Sequence, residues 1–180
     1  RLVFLRPLGL RLATVAGVEV EVRKNLFVRP LSSAANGMNK LSFGLNGSYI
    51  YTNAKMPLAT VTTGSQLEGA APWIANFDLS HNFTKGNHSF INTLVLNYVS
   101  DKIYTIGTQG YQDIMEQGMM TLDFVSQAKL NKYVSLTLKA RNLLNPSYKL
   151  SRKANESGEK VVLSDYKKGI NISLGVSCTF

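Results

Sequence analysis

A single cysteine, Cys178, leaves this 180-residue chain without an internal disulfide framework, and no CxxC or Cys/His spacing marks a metal site. Charge is sparse: Asp, Glu, Lys and Arg make up 17% of the residues, against a usual share of about 25%. There is no run of about 18 apolar residues to form a membrane helix, and almost nothing recurs at a sustained helical period. The net charge of +9 would suit a nucleic-acid partner. Lys and Arg are scattered, however, and do not form an aromatic-interleaved basic stripe, so no nucleic acid is expected. Cations at strand ends fit anionic lipid and lipopolysaccharide headgroups better. The chain begins at Arg1 and its opening, "RLVFLRPLGL", has charges and Pro7 inside its apolar run. That makes a poor signal peptide, and the expectation is a part of something longer.

What is present is alternation. "GVEVEVRK" sets Val18, Val20 and Val22 against Glu19, Glu21 and Arg23. "LSFGLNGSYIY" groups Leu41, Phe43, Leu45, Tyr49 and Tyr51 opposite Ser42, Asn46 and Ser48. "WIANFDLSHNF" places Trp73, Ala75, Phe77, Leu79 and Phe83 opposite Asn76, Asp78, Ser80 and Asn82. Less clean alternation runs over 89–104, and clean alternation returns at 120–129, 134–141 and 169–180. Period-two patterning of this kind predicts an all-β chain of about seven antiparallel strands.

The connections alternate too. "TKGNH" (84–88) and "NK" (131–132) are tight hairpin turns, whereas 54–71, about 105–117 and 149–161 are long and polar. The link 27–40 breaks this rule, being too long for a tight turn. Short connections at one end and long ones at the other predict an up-and-down meander forming part of a transmembrane β-barrel. Aromatic placement is an independent sign. Phe83, Phe90 and Phe180 fall at short-turn ends, and Tyr49, Tyr51, Trp73, Tyr98 and Tyr166 fall near long-loop ends on the apolar face. Two girdles one apolar span apart are expected of such a barrel. A soluble β-sandwich, lipocalin-like barrel or other β-sheet binding module alternates in the same way, but its core gives no reason to sort aromatics to strand ends.

No enzymatic constellation emerges, and neither a cofactor nor a metal is expected. His81 falls on the apolar face and His88 in a short turn, away from any Ser/Asp pair. Asp78 and Asp123 share the polar face, where lining a polar interior is the simplest role. Cys178 reads as a small apolar residue. The basic stretch "KLSRKANESGEK" is a solvated loop by default and a lipopolysaccharide or ligand contact otherwise.

The last eight residues, "SLGVSCTF", resemble the C-terminal signal read by the bacterial outer-membrane barrel assembly machinery, with Ser173, Gly175, Cys178 and Phe180 in its four places. "AGVEVEVRKNL", "LSFGLNGSYIYTNA", "APWIANFDLSHNF" and the Asn-Leu-x-x-x-x-Tyr segment within "LTLKARNLLNPSYKL" follow in the order of TonB-dependent outer-membrane receptors, in the style of Bacteroidetes. The resemblance spans about residues 13–180 and leaves 1–12 poorly assigned. It implies the C-terminal part of an outer-membrane barrel, without the plug domain. It also implies lipid, lipopolysaccharide and the assembly machinery as partners, with the energy-coupling protein reached only through the missing plug. Such transporters have about 22 strands. Seven is an odd count where bacterial barrels have an even one, so the alternative of a small self-contained barrel needs an eighth strand from residues 1–12.

Overall fold

The computed structural model describes residues 2–5, 13–31, 37–54, 66–108, 110–154 and 158–179. Among these there is no helix; the chain is all-β and every strand pairing is antiparallel. Eight strands form the main sheet in the order β1 (Leu2–Leu5), β2 (Ala13–Leu31), β3 (Gly37–Ala54), β4 (Trp73–Lys85), β5 (His88–Val99), β8 (Met119–Lys129), β9 (Val134–Arg141) and β12 (Asn171–Cys178). The remaining four make a smaller sheet in the order β6 (Lys102–Thr105), β7 (Ile114–Glu116), β10 (Ser147–Lys153) and β11 (Lys160–Lys167).

The small sheet continues the large one. β6 follows β5, β7 precedes β8, β10 follows β9 and β11 precedes β12, so the last four strands of the main sheet run on, in the same order, past an interruption. From Val99↔Met119 to Lys102↔Glu116 the pairing continues without a slip. Between β9–β12 and β10–β11 it does slip, because five residues (142–146) face three (168–170). Asn142 and Asn145, with φ of 59° and 44°, and Gly169, with φ of 83°, turn the chain there. These are residues for which the left-handed region is least costly. The result is a meander of seven long strands preceded by the short β1.

Tight connections form where the sequence predicts them. At 131–134 the Asn131 side-chain oxygen accepts from the N–H groups of Tyr133 and Val134, both at 2.8 Å. That is the local hydrogen bonding that favours Asn in turns. The 27–40 link, expected to be long, is instead mostly strand: β2 runs to Leu31 and β3 starts at Gly37. A bulge between Asn25 and Phe27 leaves Leu26 unpaired and shifts the alternation by one residue, which hides the strand from a period-two reading. Pro30, opposite Met38, is tolerated because β1 pairs only with the other end of β2.

No layer covers either face of the main sheet among the described residues. The few buried apolar side chains, Ala54, Ala71, Ile103 and Ile106, are near the loop end, and none of the described side chains is fully buried. A soluble domain of this size would cover its apolar face with a second layer.

Candidate functional site

Register fixes which side chains share a face, because residues directly opposite in an antiparallel pair point the same way. On one face the rows are Val18–Tyr49–Trp73, then Val20–Gly47–Ala75–Tyr98–Met120, then Val22–Leu45–Phe77–Leu96–Leu122. Below them comes Lys24–Phe43–Leu79–Leu94–Phe124–Ala140–Ile172, and at the short-turn end Arg29–Asn39–Phe83–Phe90–Ala128–Leu136–Val176. This is an open, largely apolar belt with Lys24 and Arg29 at its β2 edge: Trp73 is 57% exposed and Leu174 71%. Trp73 and Phe83 are ten residues apart; at about 3.3 Å per residue and a tilt of about 45°, that is roughly 23 Å. A membrane barrel's apolar band is about 25 Å tall.

Of the aromatics singled out in the sequence, Tyr49, Trp73, Phe83 and Phe90 sit in the first and last rows of the belt. Tyr49 and Trp73 are direct partners with rings 4.5 Å apart. Tyr98 lies one row inside and Tyr51 one row outside. Phe83 and Phe90 pair at the opposite margin. Tyr166 is in β11, stacked on its cross-strand partner Tyr148 at 5.0 Å. Sequence reasoning missed Tyr133, exposed in the short turn under Lys132, though its place beside "NK" was a sufficient signal.

One row within the belt is polar, with Asn92 and Ser126 next to His81 between Leu41 and Leu138. Each has a polar partner, within the row or in the row of Asn39 beside it. Ser126 donates to the Asn92 oxygen at 2.7 Å, and the His81 ring and the Asn39 oxygen are 2.8 Å apart. Satisfied in this way, they can leave water at much lower cost than unpaired groups. His88 opens β5 opposite Lys85 in the tight turn.

The other face is hydrophilic, with rows such as Glu21–Asn46–Asn76–Asn97–Thr121 and Arg23–Gly44–Asp78–Val95–Asp123. Side chains bridge the strands directly: Asn46 donates to Glu19 at 2.7 Å, and Ser80 and Thr93 are 3.1 Å apart. Gly44 leaves room for the Asp78 carboxylate that lies over it; an added Cβ would stand 2.3 Å from its oxygen and make that side chain turn aside. Asp78 and Asp123 are in one row but separated by a strand. Among the described residues no group of three or more His, Cys, Asp or Glu is placed to hold a metal.

The described residues of the stretch that resembles a C-terminal assembly signal are distributed over both faces of β12. Ser173 and Gly175, opposite Lys139 and Thr137, are on the hydrophilic face; Cys178, opposite Val134, is on the apolar one. Phe180 lies outside the described residues. Strand β12 pairs with β9 on one side and is the last strand of the sheet, and all eight of its residues are exposed. Its outer edge therefore presents backbone donors and acceptors for another strand.

The interruption between the sheets is spanned by side chains. Asp101 accepts from Gly118 N at 2.6 Å and Asp123 from Asn142 N at 2.8 Å. Asn142 donates to the Gly169 carbonyl at 2.7 Å, and Gly169 N donates to Asn145 at 3.0 Å. Both asparagines belong to the Asn-Leu-x-x-x-x-Tyr segment singled out in the sequence. The Tyr of that segment, Tyr148, donates to Glu116 at 2.8 Å, and Lys102 pairs with Glu116 at 3.2 Å. Compared with protein families, curated proteins and solved structures, the chain matches none.

Proposed function

We propose that this chain is barrel wall from the C-terminal part of a TonB-dependent receptor of a bacterial outer membrane, a protein that takes up a nutrient such as an iron chelate, corrinoid, glycan or peptide. One observation carries the reading. A single-layer sheet has an open apolar belt about one bilayer core tall, bordered by aromatics, on the face opposite a hydrogen-bonded polar one. In lipid the belt needs no second layer, and the polar face lines an interior. The exposed edge of β12 suits pairing with a strand outside this segment, as a sheet without edges requires in a membrane. In this reading the wall carries outer loops but not the coupling to an energised partner.

The test is fractionation of cells carrying the entire reading frame. The expected product is in the outer membrane, migrates faster unheated than boiled, and requires a plug domain upstream for uptake. A protein that is monodisperse without detergent overturns the membrane reading. A second reading, a small self-contained structural barrel, is favoured by the pairing of β1 with β2, which raises the strands of the sheet to eight. It predicts a folded, heat-modifiable protein from these 180 residues alone.

A further inference from the structure

The upper sheet contains a feature that neither a membrane wall nor a solvated loop requires. Along β10 and β11 the pairs run Ser147↔Lys167, Tyr148↔Tyr166, Lys149↔Asp165 and Leu150↔Ser164. A bulge then intervenes, and the next pairs are Ser151↔Val162, Arg152↔Val161 and Lys153↔Lys160. Were Leu163 paired in the ladder and not bulged, Lys153 would face Val161 and Lys160 would point to the other side. The irregularity thus sets two ammonium groups directly opposite each other, an arrangement that destabilises a sheet when nothing lies between them.

Both lysines line one hollow of about 440 Å³ between the β10–β11 hairpin and the β6–β7 connection, together with Lys149, Ser151, Gln117 and Asp113. That volume lies in the range of small-molecule sites. Its other charged side chains each have a partner, although the two aspartates keep their negative charge. Lys149 pairs with Asp165 at 3.4 Å, Asp113 accepts from Gly107 N at 2.7 Å, and Asp101, also on the lining, accepts from Gly118 N. Lys153 and Lys160 make no ion pair among the described residues. Val162 and Met115 supply an apolar floor.

Register also says which way the hollow opens. β6 and β7 continue the pairing of β5 and β8 without a slip, so Asp101 and Gln117 carry on the side of Val99 and Met119, the hydrophilic face. A lipid headgroup would approach from the belt side. We propose that this hollow binds the phosphate-type oxyanion of a soluble ligand, bracketed by Lys153 and Lys160, with the Ser151 hydroxyl on the same side. Compact, rotatable ammonium groups from adjacent strands suit a tetrahedral anion, which has donors to accept on every side. The hollow and its two lysines belong to the upper sheet alone, whereas the choice of a soluble ligand over a lipid headgroup rests on the membrane reading proposed above.

Calorimetric titration of the full-length protein with inorganic pyrophosphate at low salt tests it. Binding is expected, and Lys153→Gln with Lys160→Gln should weaken it at least tenfold, while Lys153→Arg with Lys160→Arg retains it and Lys167→Gln leaves it unchanged. Without ligand, Lys153→Gln alone should raise the melting temperature by removing the like-charge opposition, which also shows that the variant folds. Absence of binding, an equal loss in Lys167→Gln, or no loss in the double Gln variant overturns the site. Vesicles of phosphatidylcholine with and without lipid A form the second arm. Displacement of pyrophosphate by lipid A would assign the site to a lipid phosphate and overturn the soluble-ligand assignment.

Discussion

The Asn142 side chain donates to the Gly169 carbonyl at 2.7 Å and so joins the interruption between β9 and β10 to the one between β11 and β12. Asn142 itself is in the left-handed region, with φ of 59°. Asn142→Gly should lose the hydrogen bond but keep the backbone, costing about 1 kcal/mol. Asn142→Ala should lose both and cost about 2–3 kcal/mol. Chemical denaturation in detergent compares the two; equal costs would mean that the backbone conformation is not what the residue provides.

Leu122 and Thr137 face opposite ways, on the belt and the hydrophilic face respectively. Leu122→Arg should therefore cost on the order of 2–4 kcal/mol in lipid, and Thr137→Arg much less. Folding titrations in vesicles measure the difference.

Asn92 and Ser126 give the belt a second test. Ser126→Ala leaves the Asn92 oxygen without its donor and should cost about 1–3 kcal/mol in lipid, whereas Ser126→Ala combined with Asn92→Leu should come back close to the wild type. In water the single change would be nearly silent, so refolding into vesicles and in detergent-free buffer separates the two environments.

The proposed outer-membrane reading, with "SLGVSCTF" read as an assembly signal, predicts a split between cells and refolding. Losing one buried aromatic is worth about 1.5–3 kcal/mol, a loss that a long wall can absorb. Phe180→Ala should thus lower the outer-membrane level in cells far more than the refolding yield. A parallel fall in both would reduce Phe180 to a girdle aromatic.

Tyr148 carries a pH signature. Its hydrogen bond to Glu116, reinforced by desolvation and by the Glu116 charge, pushes the phenol up to about 12 from its ordinary 10.0. Because the folded value is the higher one, the bond's contribution is complete below pH 10 and is lost as pH rises toward 12. Tyr148→Phe should destabilise the upper sheet by about 1 kcal/mol at neutral pH, and the gap should close over that window. Hydrogen exchange of β10 amides at neutral pH and melting curves taken from pH 9 to 12 provide the measurement.

Strands with one apolar and one polar face were legible in the sequence, and 17–24, 41–51, 73–83, 120–129 and 134–141 all fall inside observed strands. Illegible were the places where one residue breaks the period. Leu26 hid the second half of β2, and Leu163 hid the pairing of β11. The upper sheet escaped notice for a different reason: in "SYKLSRK" only Tyr148 and Leu150 alternate with polar residues before both sides turn polar at 151–153. Of the candidate site, placing Tyr49, Trp73, Phe83 and Phe90 needed only the strand ends. The facing of Lys153 and Lys160 depends on a bulge, and the side-chain ties at Asp123, Asn142 and Asn145 depend on tertiary approach.

The line of interruptions across the last four strands works as a crease. Beyond it, pairing slips between β10 and β11 without disturbing the partners of β9 and β12 below. Insertions or deletions in the outer hairpins can therefore be absorbed at the crease, where side chains and left-handed residues in place of ladder bonds set the geometry. Upper segments built on such a sheet are free to diversify in length and chemistry while the register of the main sheet beneath them stays fixed.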